Sequence, residues 1–496
     1  MANRLRPKPL NKTDKLQKPL RFCSLFIIMF IILKRRVCAG VKEMTKLTFI
    51  ADLHHYSETL GTSGRQYVLR SGSDQKCLAE TGAIIDAAFA KIAQSDTQAV
   101  MLIGDVTNDG ERVSHMELLE KLRTLQQKKP VYTVTATHDW CCDGNPRRFC
   151  GNSVSHDVPT CTSEELGRLY APFGPEQALA VYTTHLGTQS YTVDIGDDVR
   201  LLALIDDQNG RGRAGFTEEH FQWIERQLHR AAKAGRVLIA MEHHLLLPSV
   251  HPLFTGGCCV GEREEVVRRL MRAGLRYVFV GHSHMQFVSR FTDEAGRTLT
   301  QVNVGSLCGY PAPICRVTVA NGRVRFFTEH LQSFVWKGQV VPAQPYLAAH
   351  AFQMIDRLLQ SPNQKEFTDR LTALQLPGEK FGVLYPLVRP LLRFVRTATL
   401  GQCARVLRPL GFLKGVPESC VRECQSVRLL PLVHRIFLNL FDGAEHPFLR
   451  GGAQYRLVMA FMASLEKRVP ALCGLTDAAD LLLCGGRWPA DSGDIT

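Results

Sequence analysis

Six short apolar runs each break off in acidic or histidine residues, and this recurring ending constrains the fold more than any other feature of the chain. The runs are LTFIADLH (47–54), AVMLIGDV (99–106), VYTVTATHD (131–139), VRLLALIDD (199–207), RVLIAMEHH (236–244) and YVFVGHSH (277–284). Each is short and continuously apolar, so each reads as a strand covered on both faces. Between them CLAETGAIIDAAFAKIAQ, HMELLEKLRTLQ, TEEHFQWIERQLHRAAKAG and EREEVVRRLMRAG carry a helical period. Thr217 is placed to cap the third of these, and Gly235 and Gly274 to stop helices. The alternation predicts an α/β domain whose chemistry sits where the strands end, because loops leaving the carboxyl edge of such sheets converge there.

Beyond residue 284 the pattern changes twice. FVSRF, TLTQVNV, CRVTVA and RVRFFTEHL alternate as antiparallel strands, with Asn321-Gly322 as a hairpin turn, so a second sheet is expected beside the first. From about 345 helices take over through 485, interrupted by Pro377, Pro386, Pro390, Pro409, Pro417 and Pro431. The expected organisation is a basic and apolar segment 1–43, a catalytic domain 44–335 and a mostly helical C-terminal region 345–490. Within that region YPLVRPLLRFVRTATL sets Arg389, Arg393 and Arg396 on one helix face opposite apolar residues. A helix docked on a globular core has this pattern and is the expectation; a helix lying on a membrane surface has it too. The tail RWPADSGDIT is expected to be loose.

The formal charge of +13 raises the question of a polyanionic partner, and its distribution argues against one for the catalytic domain. Residues 1–43 hold eleven Lys or Arg against Asp14 and Glu43, residues 333–496 are also net basic, and 44–332 carries about two net negative charges. No nucleic-acid surface is indicated there. The N-terminal segment contains FCSLFIIMFIIL (22–33) followed by Lys34-Arg35-Arg36. That run is shorter than the ~20 residues a membrane span needs, and the basic triplet stands directly after it where a signal peptide has the small residues of its cleavage site. Met44 then opens MTKLTFIADLHH in the manner of a domain starting on its first strand. Residues 1–43 therefore read as a mis-extended start or a weak signal or anchor, and membrane association depends on their being genuine. Sixteen cysteines, in a chain long enough to bury a core, read as free thiols of a cytoplasmic protein. A structural zinc on Cys141, Cys142, Cys150 and Cys161 is the alternative, without the paired C-x2-C spacing that marks such sites.

Asp52-Leu53-His54, Gly104-Asp105 and Gly281-His282-Ser283-His284 carry the chemical argument. Side chains two residues apart on a strand point the same way, so Asp52 with His54, and His282 with His284, are each expected to meet one ion. With His243 they make six nitrogen and oxygen donors from four strand ends, enough to surround two ions ~3.5 to 4 Å apart.

These blocks resemble the calcineurin-like metallophosphoesterase superfamily, whose pattern is D-x-H, G-D, G-N-H followed by D or E, a His, and G-H-x-H. The resemblance spans residues 47 to about 310. It implies a four-layer αββα sandwich, here followed by the helical region. It also implies that Asp52, His54, Asp105 and His284 hold one metal, and that Asp105 bridges to a second completed by His243 and His282. His244 is the alternative to its neighbour. The third block departs from the pattern: Ala136-Thr137-His138-Asp139 places Thr137 where the family has its Asn ligand. A hydroxyl is a poorer and shorter ligand than an amide carbonyl, so the expectation is either that the second metal is held less tightly or that a water fills the gap.

By resemblance His138 contacts the scissile phosphate and protonates the leaving oxygen; its other reading is a loop histidine anchored to Asp139. The implied activity is hydrolysis of phosphate mono- or diesters by a metal-bridged hydroxide, with Asp105 and His138 central to it. The mixed carboxylate and imidazole donors suit Mn, Fe or Zn. Arg147 and Arg148, on the loop that follows, are candidates to clamp a substrate phosphate, with simple solvation as the plainer reading. Asp206, Asp207 and Asn209 either shape the same cleft or form a turn. The rival function is a non-catalytic binding module on a degenerate metallophosphoesterase fold, motivated by Thr137. Substrate and oligomeric state stay open, because one fold hosts many substrates.

Overall fold

The computed structural model of the protein describes residues 44–373 and 378–496. The readings of residues 1–43 and of Pro377 lie outside the described residues. Thirteen strands build two sheets. In chain order they are β1 (Thr45–Ala51), β2 (Ala99–Ile103), β3 (Val131–Val134), β4 (Ala180–Thr183), β5 (Gln189–Ile195), β6 (Val199–Ala203), β7 (Val237–Met241), β8 (Tyr277–Val280), β9 (Phe287–Thr292), β10 (Thr298–Asn303), β11 (Pro313–Ala320), β12 (Arg323–His330) and β13 (Ser492–Asp494). The first sheet runs β13-β12-β11-β1-β2-β3 and the second β9-β10-β8-β7-β6-β5-β4. Strands β1, β2 and β3 are parallel, as are β6, β7 and β8, so the loops after them leave from common edges. Asn321 and Gly322, both at positive φ, turn β11 into β12 as the sequence predicts.

The sheets face each other through alternate residues of their strands. Leu47, Phe49, Ala51, Met101 and Ile103 of the first meet Val193, Leu201, Ile239, Met241 and Phe279 of the second, and the Phe49 and Phe279 rings stack at 4.1 Å. The outer face of the first sheet, with Ile50, Val100 and Leu102, takes the helices Thr81–Ala93 and Arg112–Gln126. The outer face of the second, with Leu202, Ala240 and Val278, takes Glu218–Lys233 and Arg263–Ala273. Thr217 caps the former by accepting the His220 amide, and Gly274 ends the latter at φ 112°. Both sheets are thus covered on both faces, which is why their central strands read as unbroken apolar runs. The result is an αββα sandwich.

Among the described residues the chain from Ala343 to Cys484 is helical apart from connecting turns, and Thr45–Thr496 form one compact unit. Two helices, Ala343–Leu359 and Leu429–Asp442, join the core beneath the first sheet, whereas Leu400, Ala404, Leu432, Leu457 and Leu483 close a smaller core of their own. Three prolines expected to break helices lie inside them. Pro386 and Pro390 belong to Tyr385–Thr397 and Pro431 to Leu429–Asp442. Pro386 and Pro431 stand in the first turn, where the missing N–H has no partner to lose; Pro390 costs that helix one bond. Among the described residues no helix is long and apolar enough to cross a membrane.

The tail is not loose. Ser492–Asp494 adds β13 to the edge of β12, Ile495 is 2% exposed between the sheets, and the Gln286 amide donates to the Ala490 carbonyl at 2.7 Å. A polar, Gly-bearing segment gives no strand signal; the open edge of β12 supplies the pairing.

Candidate metal centre

The loops after β1, β2, β7 and β8 bring two donor groups together. Asp52, His54 and His284 form one, and Asp105, His243 and His282 the other, each with its ligand atoms within 4.8 Å of one another. In the first, the Nε2 atoms of His54 and His284 face each other at 3.0 Å, and Asp52 Oδ1 lies 3.6 Å from His284 Nε2. In the second, His243 Nε2 is 3.1 Å from Asp105 Oδ2 and 3.2 Å from His282 Nδ1. The same Asp105 oxygen lies 4.0 Å from His54 Nε2, so this carboxylate stands between the groups.

The convergence does not come from the strand pleat, as the two-residue spacing suggested. β1 ends at Ala51 and β8 at Val280, and the candidate donors follow in loops. Asp52, His54, Asp105, His282 and His284 all adopt left-handed φ, between 43° and 65°. Non-glycine residues carry strain there, and such strain collects at functional sites. One consequence is that His282 and His284 part, each to a different donor group. Glycines make the room: a Cβ on Gly104 would lie 2.5 Å from His243 Nδ1, and one on Gly281 would lie 2.6 Å from Asp52 Oδ2.

Supporting bonds fix the donors. Asp52 accepts the His282 amide through both oxygens at 3.1 Å, and its own carbonyl accepts from Ser306. His284 Nδ1 donates to Gln75 Oε1 at 3.0 Å, which turns its Nε2 lone pair inward. His243 Nδ1 donates likewise to the Ile103 carbonyl at 3.2 Å. Of the adjacent pair, His243 faces Asp105, whereas His244 is held by Asp206, 3.1 Å from its Nδ1. Asp207 accepts from the Trp140 indole, and Asn209 sits in an exposed turn bonded to Glu262.

The electrostatics fit cations. Burial, and then the nearby Lys76 ammonium, hold His54 well below the usual imidazole range and His284 at about 3; burial and two neighbouring imidazoles do the same to His282. These rings are neutral at pH 7, the form that binds a metal. Burial opposes charge on His243 and Asp105 as well, yet their contact wins, raising the imidazole and lowering the carboxyl. Burial raises Asp52 to about 8, so in a site this dry its carboxylate needs a positive charge beside it to stay ionised.

Around this centre lie the other candidates. His138 donates its backbone N–H to Asp105 Oδ1 at 3.1 Å, and its Nδ1–H to the Asn108 carbonyl at 2.5 Å. Asp139 is not its anchor: that carboxylate is spent on the amides of Thr107 and Ala136 and the Thr107 hydroxyl. Burial pulls the His138 imidazole down, but Asp105 and then Asp109 leave it raised. Thr137 opens the short 3-10 turn Thr137–Trp140, and its carbonyl accepts the Cys142 amide at 3.1 Å. Arg147 reaches the site's edge, pairing at 2.8 Å with Asp109, whose other oxygen is 3.8 Å from His138 Nδ1. Arg148 is exposed in a two-stranded hairpin, Arg148–Cys150 with Ser153–Ser155. Cys77, Cys141, Cys142, Cys150 and Cys161 are free thiols, and among the described residues the four near Cys141 form no ligand group.

Sequence reasoning missed Gln75, Lys76, Asp109 and Ser306. Gln75 and Lys76 fall in the irregular stretch SGSDQK, which carries no strand-end signature.

Residues 45–286 match the family model described as calcineurin-like phosphoesterase. Among solved structures, the chain is similar to a dimetal phosphatase from Danio rerio, with 14% identity and a TM-score of 0.41 over 60% of this chain and 99% of that one. It is also similar to purple acid phosphatase PPD1 from yellow lupin, with 14% identity and a TM-score of 0.38 over 61% of this chain and 53% of that one. A 5'-nucleotidase precursor from Thermus thermophilus shares 13% identity, with a TM-score of 0.33 over 64% of this chain and 60% of that one. A search of the curated proteins gave no match.

Proposed function

Residues 45–286 belong to the calcineurin-like phosphoesterase family, and from that premise we propose that this protein hydrolyses phosphate mono- or diesters at a centre of two divalent cations. The observation that carries the reading is the pair of buried donor groups with Asp105 between them. Asp52, His54 and His284 would hold one ion, His243 and His282 the other, and Asp105 both. The mixture of carboxylates and imidazoles favours Mn, Fe or Zn. When bound, such a pair polarises phosphoryl oxygens and makes water acidic enough to attack at neutral pH.

The protein's own part is positioning and proton delivery. Asn108 fixes the His138 ring through Nδ1, which leaves Nε2 to face a substrate. With Asp105 and Asp109 favouring its charged form, His138 donates that proton to the leaving oxygen. Arg147, oriented by Asp109, offers a guanidinium to a non-reacting phosphate oxygen. Thr137 gives the second ion one good ligand fewer than the family pattern provides. A cysteine-bearing chain long enough to bury a core without disulfides suits a reducing compartment such as the cytoplasm.

The test joins metal analysis to a screen of aryl phosphomonoesters and phosphodiesters. Two metals per chain with turnover, both reduced in Asp105→Asn, support the proposal. A metal-free, inert protein refutes it and favours the binding-module reading that Thr137 motivates.

A further inference from the structure

The helix Tyr385–Thr397 is apolar over a wider arc than it buries. It packs through Tyr385, Val388 and Leu392 against Phe367, Leu371 and Phe381, and through Leu392 and Val395 against the main core. On one side of that docked face Leu387 is 78% and Leu391 54% exposed, continued by Val383 in the preceding turn at 64%. On the other side Arg389, Arg393 and Arg396 are exposed at one-turn spacing, and among the described residues none pairs with a carboxylate. The next helix and turn add exposed Val406 and Leu410. From 380 to 417 the chain holds seven Lys or Arg and no Asp or Glu.

From this arrangement we propose that the surface around Tyr385–Thr397 docks on an anionic lipid bilayer, with Leu387 and Leu391 in the headgroup boundary and the arginines among lipid phosphates. Charge selects this occupant. A second copy of the same face, or residues 1–43 with their eleven basic side chains, would set cation against cation. A nucleic acid would reward the arginines and leave the leucines in water, since its outer surface is phosphate. A bilayer interface rewards both, by apolar burial and by its negative surface potential. Pro386 and Pro390, on the outward side between the two flanks, add apolar surface to the same contact.

The experiment uses the full chain carrying Leu391→Trp and vesicles with brominated acyl chains. Quenching beyond that of the wild-type chain, whose four tryptophans set the baseline, reads position 391 itself, whatever residues 1–43 contribute to binding. Quenching by vesicles of phosphatidylcholine with phosphatidylglycerol, and little by phosphatidylcholine alone, is expected. Adding Arg389→Glu, Arg393→Glu and Arg396→Glu should lower the vesicle partition at least about tenfold while the melting temperature stays unchanged. A second variant, Leu387→Gln with the arginines intact, should weaken quenching without altering the fold. Absence of quenching in every vesicle overturns the proposal. So does equal quenching by neutral and anionic vesicles, or a dimer in solution that shields the indole.

Discussion

Replacing Gly281 by alanine perturbs the first donor group through a single contact. Gly281 lies outside the left-handed region, so the substitution adds volume without backbone strain. The new Cβ would lie 2.6 Å from Asp52 Oδ2, and 3.1 Å from both the Ala51 Cβ and the Ile103 carbonyl oxygen. Ordinary contact begins at 3.4 Å, so the carboxylate must retreat by 0.8 Å. Ala51 and Ile103 belong to paired strands and cannot give way. Asp52 is fully buried, and the retreat strains its two bonds from the His282 amide.

Overpacking of this kind costs about 1–3 kcal/mol of stability, and misplacing a reacting group by ~1 Å costs on the order of 100-fold in rate. The assay is metal content by mass spectrometry, together with kcat on an aryl phosphate and a thermal melt. A suitable control is Gly322→Ala, strained at φ 78° but with nothing within 4 Å of the added methyl. It should lose about 1 kcal/mol and keep metals and rate. If Gly281→Ala keeps a wild-type metal content and a wild-type rate, Asp52 is not where the argument needs it.

Thr137→Asn should tighten the second cation, read as a lower dissociation constant for the second equivalent in a Mn titration; an unchanged value would show that Thr137 leaves no ligand position short. Burial, and then the Asp109 charge, raise Glu111 from 4.5 to about 7. The folded state therefore keeps a proton that the unfolded chain has lost, and stability should fall by up to about 3 kcal/mol as pH rises through that window. Glu111→Gln should flatten the fall in melting temperature between pH 5 and 8, and an unaltered slope refutes the assignment. Deleting residues 492–496 removes β13 and buried Ile495, and should cost about 2–3 kcal/mol, measured as a lower urea midpoint. An unchanged midpoint would mean that the tail adds nothing.

The six buried strands were legible because burial on both faces demands unbroken apolar runs, and the ligand types were legible because each run ends in them. Strands β4 and β5 were not foreseen: AVYT is only four residues long, QSYTVDI alternates Tyr191, Val193 and Ile195 with polar residues instead of running apolar, and both join the second sheet by pairing with a neighbour already in place. The sequence by itself determined which residue types stand at each strand end, and so the chemistry open to the site. How they divide was implied by the family resemblance but not by the spacing, and tertiary structure carries it out. His282 and His284 part because the loop after β8 turns through left-handed φ, and His243 rather than His244 meets Asp105 because Asp206 claims its neighbour. Asp52 closes the first group because Gly281 yields it space. Those choices depend on contacts between segments up to 230 residues apart, and side-chain identity along a chain carries no record of which distant backbone will leave room.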